Sequence, residues 1–221
     1  MKVSTDACVL GAAAPITDAH RLLDVGTGTG LLALMAAQRN SEACVEAVEL
    51  NPAAAAQAAA NFQTSPWAMR LAVHAMPLAQ LAATRPAPYG HILCNPPFFR
   101  HSLRSPNAQR TQARHTAPDT LSFRELAHFA ADFLTPAGCL TVLLPPPEMA
   151  HFELEAARAG LWPAARLVLR HRTGSKPLRH ITTFGRQPTP LVSEQELLVK
   201  DAAEQYSPAF RELLGPFYLA L

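Results

Sequence analysis

Two short stretches of this chain carry residue types suited to chemistry on a planar nitrogen. The first is Asn95-Pro96-Pro97-Phe98, which follows the apolar run 90–94. An amino group conjugated to an aromatic ring is a poor nucleophile, because its lone pair is delocalised into the ring. Two oxygen acceptors aimed at its hydrogens draw it toward a tetrahedral geometry and fix its line of attack. The side-chain oxygen of Asn95 and the carbonyl of Pro96 are suited to that task. Pro96 and Pro97 stiffen the corner, and Phe98 offers a flat face on which an extruded base can stack. The competing reading is a plain strand-ending turn, since Asn and Pro are turn residues in any case. Phe99 reads as core or rim.

The second stretch is Asp24-Val25-Gly26-Thr27-Gly28-Thr29-Gly30. Gly26, Gly28 and Gly30, with Thr27 between them, let the chain turn sharply and bring bare backbone against a ligand, while the following helix adds positive potential. A dinucleotide cradle reads GxGxxG; here the spacing is GxGxG with an aspartate two residues ahead, which disfavours phosphate as the ligand. Glu49 closes the next apolar run nineteen residues after Gly30, where a carboxylate can accept both hydroxyls of a ribose. An adenosine without phosphates fits, and S-adenosylmethionine is such a molecule, its amino-acid end held by Asp24 and the turn amides. Turn capping by Asp24 and an ordinary strand-end role for Glu49 are the alternatives.

The elements that must position these residues alternate. Residues 20–25 read as a strand, 31–39 as a helix, 44–50 as a strand, and the alanine-rich run to Asn61 as a helix opened by Asn51 and Pro52. Short strands follow at 70–75 and 90–94, separated by a polar, proline-bearing segment at 85–88. Ser122-Phe123-Arg124-Glu125 has capping-box spacing ahead of Leu126, Phe129, Ala130, Phe133 and Leu134, and residues 135–138 end that helix. Residues 139–144 form a strand stopped by three prolines, 152–159 a helix, and 165–172 with 180–186 a basic hairpin. The tail from Ser193 offers an extra strand and a terminal helix from Ser207. This order predicts an α/β, Rossmann-like fold: one domain over 1–221 with a mostly parallel sheet, an antiparallel strand pair toward its C-terminal end, and ligands bound beyond the carboxyl ends of the strands.

With 221 residues, 49% hydrophobic and 16% charged, the chain can bury a substantial core. No apolar run is long enough for a membrane span, the start lacks a signal-peptide profile, and a cytoplasmic monomer is expected. Cys8, Cys44, Cys94 and Cys139 are isolated and read as small core residues. The nine histidines show no HxH or HExxH spacing and no GxSxG accompanies them, so neither a metal nor a serine triad is expected. The net charge of +2 conceals an uneven distribution. No acidic residue lies between Glu155 and Glu194, a gap that holds Arg158, Arg166, Arg170, Arg172, Lys176, Arg179 and Arg186. A second acid-free run, with Arg100, Arg104, Arg110 and Arg114, follows Phe98. Such patches suit phosphate. Residues 99–121 are long for a connection and are expected to clamp the substrate. Arg110 and Arg114 would contact RNA there, and Arg170, Arg172, Lys176 and Arg179 around the hairpin turn.

The opening Met1-Lys2-Val3-Ser4-Thr5-Asp6-Ala7-Cys8-Val9-Leu10-Gly11-Ala12, the glycine turn, Ala47-Val48-Glu49-Leu50, Asn95-Pro96-Pro97-Phe98, Arg110-Thr111-Gln112-Ala113-Arg114, Tyr206-Ser207 and Phe217-Tyr218-Leu219 together resemble the bacterial tRNA1(Val) (adenine-37 N6)-methyltransferase family nearly end to end. The opening and closing signatures are particular to that family, whereas the glycine turn and the Asn-Pro-Pro-Phe corner are shared with most amino-methyltransferases. The resemblance implies a class I fold with seven strands, S-adenosylmethionine as donor, and as acceptor the adenine beside the anticodon of a valine tRNA. It also implies that Lys2, Thr5 and Asp6 close over the cofactor and that Leu50, Ala75 and Met76 line its pocket. Two departures accompany it. Ala75-Met76-Pro77 stands where an acidic residue would receive the cofactor's adenine amine, and the Met-Lys-Val signature, which a further segment usually precedes in the family, stands here at the start of the sequence. Two other functions share these residues: methylation of a glutamine amide in protein, and a non-catalytic RNA adapter of the same fold.

Overall fold

The computed structural model describes residues 4–96 and 121–219. Pro97, Phe98, Arg110 and Arg114 lie outside them, as does the clamp expected over 99–121 apart from Leu121.

The first unit is β1 (Arg21–Val25), α2 (Leu31–Arg39) and β2 (Cys44–Glu49), preceded by α1 (Thr5–Ala13). β1 is buried along nearly its whole length, as expected of a central strand covered on both faces. Next come α3 (Pro52–Gln63), β3 (Leu71–Ala75), α4 (Leu78–Ala83) and β4 (Tyr89–Cys94). Asn51 caps α3 as its type predicts, its side-chain oxygen accepting from the backbone N–H groups of Ala53 and Ala54 at 3.0 and 3.1 Å. The second half holds α5 (Phe123–Phe133), β5 (Leu134–Leu144), α6 (Pro146–Arg158), β6 (Trp162–Arg170), β7 (Pro177–Gly185), β8 (Ser193–Leu198) and α7 (Pro208–Leu214).

All strands join one eight-stranded sheet in the order β3-β2-β1-β4-β5-β7-β6-β8. Only β7 runs against its neighbours β5 and β6; the other pairings are parallel. The fold is therefore the expected Rossmann-like one, with one strand more than the seven implied by resemblance. The addition is the tail strand β8, which pairs with β6, so the antiparallel hairpin lies inside the sheet and not at its edge. Helices α1, α2, α3 and α7 cover one face and α4, α5 and α6 the other, each over its own apolar cluster.

Several boundaries differ from the sequence reading for physical reasons. Residues 135–138 do not form a separate stop: β5 starts at Leu134, directly at the end of α5, and its pairing with β4 shifts register between Tyr89 and His91. The prolines that end β5 also open α6 six residues earlier than expected, because Pro146 and Pro147 occupy first-turn positions whose N–H groups would have no intrahelical partner. Cys8 and Cys94 are buried and Cys139 is half-buried, but Cys44 is exposed at the start of β2 and is not a core residue.

Candidate active site

The strand order reverses between β1 and β4, the place where doubly wound sheets bind ligands. Val25 at the end of β1 lies opposite Cys94 at the end of β4. The glycine turn that starts at Gly26 and the corner that starts at Asn95 therefore leave the sheet side by side. Asn95 is half-buried and Pro96 buried.

Gly26, Gly28 and Gly30 have φ of 70°, 59° and 91°, in the left-handed region that disfavours a side chain. A Cβ on Gly26 would meet nothing within 4 Å, so that backbone faces open space, whereas one on Gly30 would lie 2.5 Å from the Phe62 ring of α3. The first glycine is thus open toward a ligand and the last is needed for packing. Gly26 and Thr27 both donate their N–H to the Val48 carbonyl, at 2.9 and 3.2 Å.

Asp24 is 1% exposed. Its Oδ2 accepts from Thr27 Oγ1 at 2.5 Å and from the Ala33 N–H at 3.2 Å, while Oδ1 is buried without a hydrogen-bond partner. Burial pushes its carboxyl up to about 7; the bonds from Thr27 and Ala33 oppose the rise and the nearby Glu49 charge adds to it. Glu49 Oε2 accepts from the Gly28 N–H at 2.8 Å and its Oε1 from the Asn51 N–H at 2.9 Å, so the carboxylate holds the turn to the start of α3. Each oxygen keeps a further lone pair for a ribose hydroxyl. Leu50 is 38% exposed beside it, and Ala75 and Met76 follow at the end of β3, exposed and half-buried. Burial raises the Cys94 thiol well above its usual range, with Asp24 adding to the rise, which leaves it protonated and inert.

At the same edge α1 begins with Thr5 exposed and Asp6 paired to Arg179 Nε of β7 at 2.9 Å. The Tyr218 hydroxyl lies with Cys8 and Thr5, so the far end of the chain braces the first helix. Asn61 was not singled out from sequence, yet its side-chain amide donates to the Thr29 carbonyl at 2.8 Å and ties α3 to the glycine turn. Only its place at the end of an alanine-rich helix marked it. Glu148 in the first turn of α6 was passed over too; its Oε2 is buried without a hydrogen-bond partner.

The arginines of the basic hairpin meet acids from other elements. Arg170 pairs with Glu196, Arg172 with Glu204 at 3.0 Å, and Arg179 with Asp6. Arg166 lies between Glu153 at 2.5 Å and Glu194 at 3.6 Å, and Arg186 donates to the Ala131 and Leu134 carbonyls. The acids that balance the acid-free run come from its flanks and from α1. Lys176 is exposed in the turn.

The pocket edge fits S-adenosylmethionine: open glycine backbone, an orphaned carboxyl oxygen on Asp24, and a strand-end carboxylate on Glu49. Residues 9–144 match the family described as "Methyltransferase small domain". A predicted O-methyltransferase from Agrobacterium tumefaciens shares the fold with a TM-score of 0.70 at 19% identity, covering 96% of each chain. A TehB-like SAM-dependent methyltransferase from Corynebacterium glutamicum does so with a TM-score of 0.55 at 16% identity, over 84% of this chain and 89% of that one. Among curated relatives, the tRNA1(Val) (adenine(37)-N6)-methyltransferase of Serratia proteamaculans is 41% identical over 99% of this chain and 84% of its own length. The protein of that name from Bacteroides fragilis is 39% identical over 100% of this chain and 92% of its own. With a family model matched over residues 9–144 and identity to these relatives running nearly end to end, the chain belongs to the tRNA1(Val) (adenine(37)-N6)-methyltransferase family.

Proposed function

We propose that this protein methylates N6 of adenine-37 in tRNA1(Val), working in the cytoplasm. The observation that carries the reading is the pairing of Val25 with Cys94, which sets the cofactor turn beside the Asn95 corner. When bound, S-adenosylmethionine supplies an electrophilic methyl group. The Asn95 side-chain oxygen and the Pro96 carbonyl accept the two amine hydrogens and orient the nitrogen lone pair, Pro97 stiffens the corner, and Phe98 stacks the extruded base. Asp24, Gly26, Thr27, Gly28, Gly30, Glu49 and Leu50 hold the cofactor, with Ala75 and Met76 at its adenine end and Thr5 and Asp6 on the α1 side. No strong general base is needed, because the nitrogen loses its proton only after it has become cationic.

The test is to incubate the protein with labelled donor and unmodified total tRNA, then map the labelled nucleoside by mass spectrometry. N6-methyladenosine at position 37 of tRNA1(Val) is expected, and label in protein or in another base overturns the assignment. Asn95→Ala should lose a thousandfold or more in rate, which is ~4 kcal/mol of transition-state stabilisation. An RNA adapter would be indifferent to that change.

A further inference from the structure

Helices α5 and α6 lie side by side on one face of the sheet and leave a groove of about 650 Å³ between them, lined by Arg124 and His128 from α5 and by His151, Glu155 and Arg158 from α6. We propose that this groove is a second contact for the phosphate backbone of the substrate, apart from the pocket that takes the reacting base; the proposal rests on RNA being the substrate.

Arg124 and His128 sit one helical turn apart, and His151, Glu155 and Arg158 recur at helical spacing, so each helix turns one polar row toward the groove. Rows four and seven residues long reach about 6 and 10 Å along the helix axes, enough to follow a strand and not only to hold one small anion. The upper end is rigid: the Phe123 ring meets the His151 ring edge-on with centroids 5.6 Å apart, and meets buried Phe152 at 5.5 Å.

The charge balance of the groove favours phosphate. Hairpin arginines are held by acids, but Arg124 has no acidic partner among the described residues and is exposed. His128 and His151 are exposed too, and an imidazole donates at least one N–H to a phosphate oxygen in either protonation state. Among the described residues Glu155 is the only acid in the lining, and it pairs with Arg158. Position agrees with charge. α6 begins just past β5, the neighbour of β4, and both helices run away from the strand ends that carry Asn95. An RNA whose target base enters that corner can lay its backbone along the groove.

Two variants test this with a transcript of tRNA1(Val). Arg124→Ala/His128→Ala/His151→Ala should bind more weakly, and its log–log dependence of affinity on salt should flatten by at least about 0.7, the share of one phosphate contact on a single strand. Its affinity for S-adenosylhomocysteine should not change. Glu155→Gln removes the acid and releases Arg158, and should bind the transcript several-fold more tightly with a steeper salt slope, a gain that structural damage would not produce. Wild-type slope and affinity in both variants overturn the groove. Should the triple variant fail to fold, unchanged binding by Glu155→Gln overturns it alone. A wild-type protein that neither binds nor methylates the transcript overturns the substrate reading itself, a result separable from loss confined to the variants.

Discussion

Asp24 shows how much of the site a sequence can disclose and where it stops. Its place two residues ahead of a GxGxG turn marked it for the cofactor, but its surroundings were not readable: it is fully buried, with one oxygen bonded and one bare. That burial has a measurable consequence. The native carboxyl keeps its proton up to about 7, whereas the unfolded one releases it near its ordinary value of 3.8. The native state binds more protons in that window, so stability falls as pH rises through it. The contribution is fully present below the unfolded value and lost once pH passes the folded one. Asp24→Asn cannot ionise, so its melting temperature relative to wild type should climb between pH 4 and 7 and level off above, with weakened binding of S-adenosylhomocysteine. A constant offset across that range would show that Asp24 is not the buried acid described. Glu49 was marked by its place at a strand end, but its grip on Gly28 and Asn51 was not readable, since it joins groups twenty-one and two residues away.

At the scale of elements, the sheet and its alternating helices followed from apolar runs and caps, and Ser122 does accept from the Glu125 N–H as its spacing implied, at 3.1 Å. α1 and α4 were not read. α1 is buried on nearly every side, Ala7 through Ala12, and so carries no polar stripe from which a helical period could be recognised; α4 has six residues and no side-chain cap. A polar chain inside the sheet was equally hidden. His91 Nε2 of β4 lies 2.9 Å from Thr141 Oγ1 of β5, which lies 2.9 Å from Thr183 Oγ1 of β7. Burial, with the Arg39 charge adding to it, lowers His91 from 6.5 to about 4. The folded imidazole stays neutral while the unfolded one takes up a proton. Its contribution to stability is present above pH 6.5 and is lost as pH falls toward 4, the opposite sign to Asp24. His91→Gln keeps a hydrogen-bonding group and does not titrate, so its urea midpoint should decline less steeply than wild type between pH 7 and 4.5. Parallel declines would mean that other groups govern acid unfolding.

Over the whole molecule, the long stretch without acids is the feature whose surroundings the sequence could not disclose. It looks like a phosphate surface when charge is counted along the chain, yet Asp6, Glu153, Glu194, Glu196 and Glu204 come back to it from other elements. Charge that matters to an RNA is what remains after such pairing, and linear sequence does not record the pairing. Lys176 and Arg172, four residues apart at the same hairpin turn, make the comparison direct. Lys176 is exposed with no acidic partner among the described residues, whereas Arg172 lies 3.0 Å from Glu204. If the turn meets the phosphate backbone, Lys176→Ala should remove one contact and reduce the salt slope of tRNA binding by about 0.7 to 0.9. Arg172→Ala should change it less, because an RNA that engages Arg172 must first compete with Glu204, and Glu204→Gln should lift that restraint and steepen the slope. Equal losses from Lys176→Ala and Arg172→Ala would show that the pairing yields to RNA, so that the hairpin presents its full charge to the substrate after all.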